Sequence, residues 1–247
     1  MIELQIYPDD ISLNQAAAEW MAGIIRAQPD SKLVLALGKS PEGTYQTLAH
    51  MVKGGVLSFR KCRVYQLDEY LGLKPGDRRL LFAWLLRSCL DPLDIPANNV
   101  VRLPSESPNL EKVCAKTDRI VNQFGIDAMV LGLGPNGHLG FNEPGSRFDS
   151  PTRVVTLTPE SLVSNATYWG KQEDVPTRAL TMGLGTLSHA RRSLLVVNGS
   201  HKRDILQRML LDEISPKVPA TCMRNWSNVT VMADAAAAID LEPGPFI

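Results

Sequence analysis

The sequence lacks an excess of charge of either sign. Lysine and arginine together number 26, aspartate and glutamate together also number 26, and the net charge at pH 7 is zero. Proteins that bind nucleic acid or an anionic membrane surface usually carry a basic surplus on the binding face. We therefore expect neither a nucleic-acid partner nor a membrane partner.

Cysteine is scarce and has no metal-binding pattern. The four cysteines form no C-x-x-C pair and no zinc-type spacing, and they are Cys62, Cys89, Cys114 and Cys222. This usage is typical of buried free thiols in a reducing compartment. We expect no metal site and no disulfide.

Long apolar runs are also missing. No run approaches the roughly 20 residues that cross a bilayer, and the opening "MIELQIYPDD" has neither the basic nor the long apolar region of a signal peptide. The expected location is the cytoplasm. The chain contains no repeat, linker or low-complexity tract, which predicts one domain over residues 1–247.

Short apolar runs alternating with helical patterns are what the sequence does contain. The apolar runs cover residues 32–38, 62–70, 126–134, 178–185, 193–199 and 230–234. Between them, helices are predicted at 12–28 (capped by Ser12), 40–55, 78–90, 110–124 and 201–211. Strands buried on both faces give such runs. The pattern predicts an α/β fold, Rossmann-like and doubly wound, with a mostly parallel sheet and helices on both faces; residues 147–177, whose pattern is weak, form a candidate lid.

Polar side chains follow four of the predicted strands. They are Gly38, Lys39 and Ser40; Asp68 and Glu69; His138 and Glu143; and Ser200, His201 and Lys202. Ligands of open α/β sheets bind beyond the carboxyl ends of the strands, so these groups predict a binding site there. Each group also has a plainer interpretation: a solvated turn for Asp68 and Glu69, a surface imidazole for His138, and a charged residue in the first turn of a helix for Lys202.

The stretch "GLGPNGHLGFNEPG", residues 132–145, resembles a dinucleotide-binding loop only in its glycine spacing. A dinucleotide loop needs a helix that begins within it, whereas Pro135, Gly140 and Pro144 interrupt any helix here. A phosphate-binding P-loop is excluded at "LGKS", because Leu33 occupies the position of its first glycine. We interpret residues 132–145 as a returning loop that brings His138 and Glu143 together as an acid/base pair.

Four motifs together resemble one enzyme family. "LDEYLGL" (67–73), "GLGPNGHLGFNEPG" (132–145), "RALTMGLGTL" (178–187) and "GSHKRDIL" (199–206) are similar, in order and spacing, to the glucosamine-6-phosphate deaminases. That family includes galactosamine-6-phosphate isomerases and is related to 6-phosphogluconolactonases. The resemblance implies a cofactor-free reaction, in which a 2-amino-2-deoxyhexose 6-phosphate becomes a ketose 6-phosphate and ammonia.

The resemblance also implies roles for individual residues. His138, assisted by Glu143, would move the proton that opens the sugar ring, and Asp68 would carry the proton from C2 to C1. Lys202 and the turn Gly38–Ser40 would hold the phosphate, with Gly137 also at the substrate. The small-molecule partner is then a sugar phosphate, and a homo-oligomer remains open.

The sequence departs from the family pattern at three places. Asn136 stands where the family usually has aspartate, a feature shared with galactosamine-6-phosphate isomerases. The loop "GKSPEGTY" is about two residues shorter than usual, and Lys39 is expected to compensate. Thr167 and Val155 replace a phosphate-binding arginine and an allosteric lysine. Two alternatives therefore stay open, a 6-phosphogluconolactonase and a sugar-phosphate-binding regulator without turnover.

Overall fold

The computed structural model describes residues 1–246. Its strands are β1 (Ile2–Tyr7), β2 (Lys32–Leu35), β3 (Arg63–Tyr65), β4 (Asp68–Tyr70), β5 (Val100–Val101), β6 (Ala128–Gly132), β7 (Arg153–Thr156), β8 (Arg178–Thr181), β9 (Ser193–Val197), β10 (Val229–Asp234) and β11 (Gly244–Phe246). Its α-helices are α1 (Asp10–Ala27), α2 (Lys39–Lys53), α3 (Leu81–Leu85), α4 (Leu110–Phe124), α5 (Pro159–Trp169), α6 (Leu184–Leu187) and α7 (Arg203–Leu211). Helix α3 continues as a π-helical turn, Leu86–Leu90.

Eight strands form the central sheet, in the order β11-β1-β10-β9-β6-β2-β3-β5. Every strand pair in it is parallel except β1 with β11, which lies at one edge. From β2 the chain builds outward through β3 to β5, and then returns to the other side of β2 with β6. The point between β2 and β6 is therefore a topological switch, where open α/β sheets form their binding crevice.

Both faces of the central sheet are buried, as the continuous apolar runs predict. Along β6, Ala128 and Val130 pack into the core cluster that contains α1 and α2. Met129 and Leu131 point the other way, into the cluster that contains α6 and α7. The predicted fold class, a mostly parallel Rossmann-like sheet with helices on both faces, is confirmed.

The structure differs from the sequence prediction at two places near the beginning of the chain. Asp9, and not Ser12, caps α1, because the Asp9 carboxylate accepts the backbone N–H of Ser12 at 2.8 Å. Strand β1 was not predicted at all. Its residues alternate between buried and exposed, as Ile2, Glu3 and Leu4 show, so it lacks the continuous apolar run of the other parallel strands.

Three short strands form a second, antiparallel sheet in the order β4-β8-β7. The run 62–70, predicted as one strand, is in fact β3 in the central sheet and β4 in the small sheet. The chain breaks at Gln66, whose side-chain amide donates to the backbone carbonyl of Asp68 and to the Glu69 carboxylate. The run 178–185 likewise supplies β8 to the small sheet rather than a strand to the central one.

Residues 147–177 are more regular than their sequence pattern suggested. They contain β7 and the whole of α5. Helix α5 begins with Thr158 as its N-cap, whose side chain accepts from the backbone of Ser161, and with Pro159 in its first turn. Within residues 1–246, no helix is long and apolar enough to cross a membrane.

Candidate active site

A cleft of about 600 Å³ opens at the carboxyl ends of β9, β6, β2 and β3, which are neighbours in the central sheet. The side chains and turns predicted to bind substrate lie mostly here. The cleft is lined by Gly38, Lys39, Ser40, Asp68, His138 and Lys202. Helix α5 contributes a further wall through Ser164, Asn165, Thr167 and Tyr168.

The first turn of α2 forms one end of the cleft. Gly38 adopts a φ of 130°, which favours glycine, and the helix begins at Lys39 without a side-chain cap. Lys39 and Ser40, predicted to lie in a turn, are thus the first helical residues. The uncapped N–H groups of a 15-residue helix carry a partial positive charge and suit an anion such as phosphate.

Lys202 adds a full positive charge near the same end. Its ammonium group donates to the backbone carbonyl of Leu133 at 2.7 Å, and burial lowers the pKa of Lys202. An ammonium has three N–H donors, so the bond to Leu133 fixes its position and leaves donors for a ligand. His201, which the sequence analysis placed at this edge of the sheet without assigning it a role, also lines the cleft; burial, followed by the charge of Lys202, lowers its pKa.

His138 and Glu143 lie together on the loop that follows β6. The distance from His138 Nδ1 to Glu143 Oε2 is 3.5 Å, and both side chains are largely buried. Burial alone would raise the pKa of Glu143, but hydrogen bonding and the charge of His138, with help from Ser161 and Asn136, hold it at about 2. Glu143 is therefore an anion throughout the neutral range, and it orients the imidazole from the Nδ1 side.

Asn136 stands behind this pair and does not bond the imidazole. Its amide Nδ2 donates to Glu143 at 2.9 Å and to the Thr158 hydroxyl at 3.2 Å, while its Oδ1 accepts the backbone N–H of His138. Asn136, which stands where the family usually has aspartate, therefore supports the imidazole only indirectly. The amide steadies the carboxylate of Glu143 and the backbone of the loop.

Asp68 faces the cleft from the first position of β4, opposite Thr181 of β8. Its carboxylate accepts no hydrogen bond from any residue among 1–246. Burial, followed by the charge of Glu69, raises the pKa of Asp68 to about 8. A carboxylate with this pKa is mostly protonated at pH 7 and is a strong base once it ionises slightly above that pH, which suits a general base.

Glu69 has a structural role instead. It is 1% exposed and accepts the backbone N–H groups of Tyr70, Leu81 and Phe82 and the amide of Gln66. It thereby caps the beginning of α3 and ties it to β4. The alternative interpretation of Asp68 and Glu69 as a solvated turn is wrong, because the two carboxylates begin a strand whose Glu69 is buried.

Two glycines of the loop show why the spacing resembled a dinucleotide loop. A Cβ atom at Gly134 would lie about 2.2 Å from the His138 ring, so the imidazole occupies the space of a side chain. Gly137, expected at the substrate, lies outside the lining of the cleft. It has a φ of 83°, and a Cβ there would come within 2.6 Å of Val218, so this glycine serves the turn and its packing.

Sequence reasoning missed the contribution of α5. The Thr158 hydroxyl lies 3.2 Å from Glu143, and the Ser161 hydroxyl lies 3.1 Å from His138 Nδ1. The signal that was available is "TPES", residues 158–161, in which threonine precedes a proline at the start of a helix. That signal predicts the helix, but it does not predict that the helix begins on the His138–Glu143 pair.

Comparison with known sequences agrees with this geometry. A model of glucosamine-6-phosphate isomerases and 6-phosphogluconolactonases matches residues 10–232. The chain is 36% identical to the glucosamine-6-phosphate deaminase of Bacillus pumilus (strain SAFR-032) over 232 residues, which cover 94% of this chain and 96% of that protein. It is 37% identical to the glucosamine-6-phosphate deaminase of Rhodopirellula baltica over 239 residues, which cover 96% and 95% respectively.

Comparison with solved structures separates two groups. A monomeric glucosamine-6-phosphate deaminase superposes with a TM-score of 0.92 at 34% identity, covering 96% of this chain and 99% of that one. The 6-phosphogluconolactonase of Thermotoga maritima superposes with a TM-score of 0.73 at 20% identity, covering 95% and 99%. The second similarity shows a common fold alone.

Proposed function

The chain belongs to the family of glucosamine-6-phosphate isomerases and 6-phosphogluconolactonases, and we propose that it is an aldose-ketose isomerase and deaminase of a 2-amino-2-deoxyhexose 6-phosphate. The products are a ketose 6-phosphate and ammonia, and the reaction uses no cofactor. Glucosamine 6-phosphate is the first candidate substrate, because the relatives at 36–37% identity carry that activity in their names.

The environment of the Asp68 carboxylate is the main support for this proposal. Deamination through an enolamine requires a base that removes a proton from carbon, and the cleft contains a carboxylate with no hydrogen-bond partner within residues 1–246 and a pKa raised to about 8. Hydrolysis of a lactone needs no base for a C–H bond. A regulator without turnover has no use for a half-buried carboxylate without a hydrogen-bond partner, which is costly to keep.

The remaining groups of the cleft fit the other steps. His138 donates a proton to the ring oxygen and receives one from the C1 hydroxyl, so that the ring opens, while the anionic Glu143 stabilises the imidazolium. Asp68 then removes the C2 proton, which gives an enolamine, and returns a proton to C1. Water adds to the resulting C2 imine, and ammonia leaves as the ketose forms.

The phosphate is assigned to the other end of the cleft. The N–H groups at the beginning of α2 and the Lys202 ammonium together match a dianion. Lys39 supplies a second positive charge there. It compensates for the phosphate-binding arginine that the family has at the position of Thr167. This arrangement holds C6 at α2 and leaves C1 and C2 near His138 and Asp68.

Helix α5 is proposed to act as the lid over the bound sugar, within the wider segment 147–177. Its end is held by aromatic contacts, with Tyr168 and Trp84 ring centroids 4.8 Å apart and Trp169 and Tyr70 centroids 5.2 Å apart. Closing the cleft would keep bulk water from the enolamine.

The decisive experiment replaces Asp68 with asparagine, which keeps the size and removes the base. The variant should bind glucosamine 6-phosphate with an affinity near that of the parent protein, because the phosphate groups are untouched. Ammonia release should fall about 10²–10⁴-fold. Exchange of the C2 proton in heavy water, followed by NMR, should be fast in the parent and lost in the variant.

Asp30→Asn provides a control, because it removes an exposed carboxylate far from the cleft. Both amino sugars, gluco and galacto, should be assayed, and so should 6-phosphogluconolactone. A parent protein that hydrolyses the lactone and ignores both amino sugars is a lactonase. A parent that binds the sugar without exchange or ammonia release is a regulator, and either result refutes the proposal.

A further inference from the structure

Helix α5 presents three polar side chains on the face that borders the cleft. Ser161, Asn165 and Tyr168 follow one another at spacings of four and three residues, which places them on one side of a helix. Ser161 bonds His138 at one end. At the other end, Tyr168 lines the cleft together with Lys39 and Ser40 of the phosphate end.

Asn165 occupies the middle of this row and lines the cleft. Its amide Nδ2 is buried and has no hydrogen-bond partner among residues 1–246. Other buried asparagines of the protein are satisfied; Asn142, for example, donates to the carbonyl groups of Leu139 and Met182. A buried and unbonded amide is costly, and asparagine is also a poor helix former.

The position of Asn165 matches the middle of a bound sugar. The proposed function puts the phosphate at Lys39 and Lys202, and puts C1 and C2 at His138 and Asp68. From Ser161, beside His138, to Tyr168, at the phosphate end, helix α5 makes two turns, with a rise of about 1.5 Å per residue. The hydroxyl groups on C3 and C4 are the polar groups that lie between the two ends.

We propose that the Asn165 amide turns toward the cleft when a sugar binds, donates a hydrogen bond to one of these two hydroxyl groups and so determines which hexosamine 6-phosphates are accepted. This inference rests on the proposed function, because that function orients the sugar in the cleft. A site that hydrogen-bonds a substrate hydroxyl discriminates strongly against an analogue without it, since the site's own polar group is then left unpaired. The configuration at C4 distinguishes glucosamine from galactosamine, so the choice between them is expected to depend on Asn165 if C4 is the partner.

The test compares Asn165→Ala with the parent on glucosamine 6-phosphate and on its 3-deoxy and 4-deoxy analogues. The variant should lose about 10-fold in kcat/KM on the full sugar, within a range of about 5- to 100-fold. On the analogue that lacks the bonded hydroxyl, the parent and the variant should have the same kcat/KM, because the hydrogen bond to Asn165 is already absent. Inorganic phosphate should compete equally with both proteins.

Val163→Ala is the matched control, because Val163 lies on the same helix, is 59% exposed and does not line the cleft. It should match the parent on all three sugars. If Asn165→Ala lowers kcat/KM equally on all three sugars, Asn165 has a structural role only. If it lowers kcat/KM on none of them, Asn165 has no role. Either outcome overturns the proposal.

A binding measurement separates this proposal from the proposed function. Calorimetry with 2-amino-2-deoxyglucitol 6-phosphate, which is open-chain and does not react, reports the contact without turnover. If the parent releases no ammonia from any amino sugar, the proposed function fails, while weaker binding of the glucitol phosphate to Asn165→Ala still supports the contact. If turnover is normal and the affinity is unchanged by the substitution, the role of Asn165 alone is refuted.

Discussion

The two ends of the cleft are built in different ways. The phosphate end (Gly38–Ser40 and Lys202) comes from the central sheet, where a helix N-terminus and the ammonium groups of Lys39 and Lys202 follow buried strands. The reaction end (Asp68, His138 and Glu143) lies on the small sheet and on a loop, and α5 packs against it. At the phosphate end the positive charge comes from two lysines and a helix N-terminus, while at the reaction end the His138–Glu143 pair depends on neighbouring side chains.

This difference shows how one fold can serve several reactions on phosphorylated sugars. The N-terminus of α2 exists because the fold needs the helix, so binding an anion there requires few particular side chains. At the reaction end, Glu143 alone contacts Asn136, Thr158 and His138. Substitutions in the loop, the small sheet and α5 can therefore alter the reaction end while the proposed phosphate site is kept.

The largest effect is expected at the reaction end, from Glu143→Gln. Glutamine keeps the shape but removes the charge that stabilises protonated His138. We expect kcat to fall about 10²-fold or more, with KM nearly unchanged, in a steady-state ammonia assay. Glu160→Gln, an exposed carboxylate in the first turn of α5, should have no effect. If Glu143→Gln instead raised KM and left kcat intact, Glu143 would belong to binding and the contrast between the two ends would fail.

Lys202→Met tests the phosphate end and should give the opposite kinetic pattern. Loss of a charge-assisted contact worth roughly 1.5–3 kcal/mol should raise KM about 10- to 100-fold, with kcat changed only a few-fold. Inorganic phosphate should also inhibit the variant less than the parent. Lys217→Met removes an exposed lysine and serves as the control. Unchanged KM and unchanged phosphate inhibition would show that Lys202 only anchors the carbonyl of Leu133.

A smaller effect, about tenfold per pH unit, is expected from the titration of Asp68. Its pKa is raised to about 8, so the base is protonated and inactive below that value. On the acid side, kcat/KM should therefore fall tenfold for each unit of pH below about 8. Glu143, with a pKa held at about 2, does not titrate in this range. A substrate phosphate ionises near pH 6, so its titration is separable; a profile that is flat from pH 6.5 to 8.5 would contradict this assignment of Asp68.

The strands β2, β3, β6, β9 and β10 of the central sheet could be predicted, because burial on both faces leaves continuous apolar runs, whereas β1, β5 and β11 have no such run and were missed. The small sheet could not be predicted, because β4 and β8 are three and four residues long and their pairing joins distant parts of the chain. The position of Asp68 and His138 at the cleft could be predicted, because both residues follow strands that end at the same edge of the sheet. The positions of Thr158 and Ser161 could not be predicted, because such residues are common at the beginnings of helices and the partners of these two lie on another segment; nothing in the sequence near Asn165 indicates that it faces the cleft.

The glycine at position 134 has a consequence for how such sequences are compared. The spacing of Gly132, Gly134 and Gly137 imitates a nucleotide-binding signature, yet the room beside Gly134 is filled by the protein's own imidazole. Even alanine at that position would displace the ring, so selection for the histidine is also selection for a glycine four residues before it. A glycine pattern of this kind indicates that some other group lies close against the backbone. That group can be a side chain of the protein, as here, or a bound cofactor.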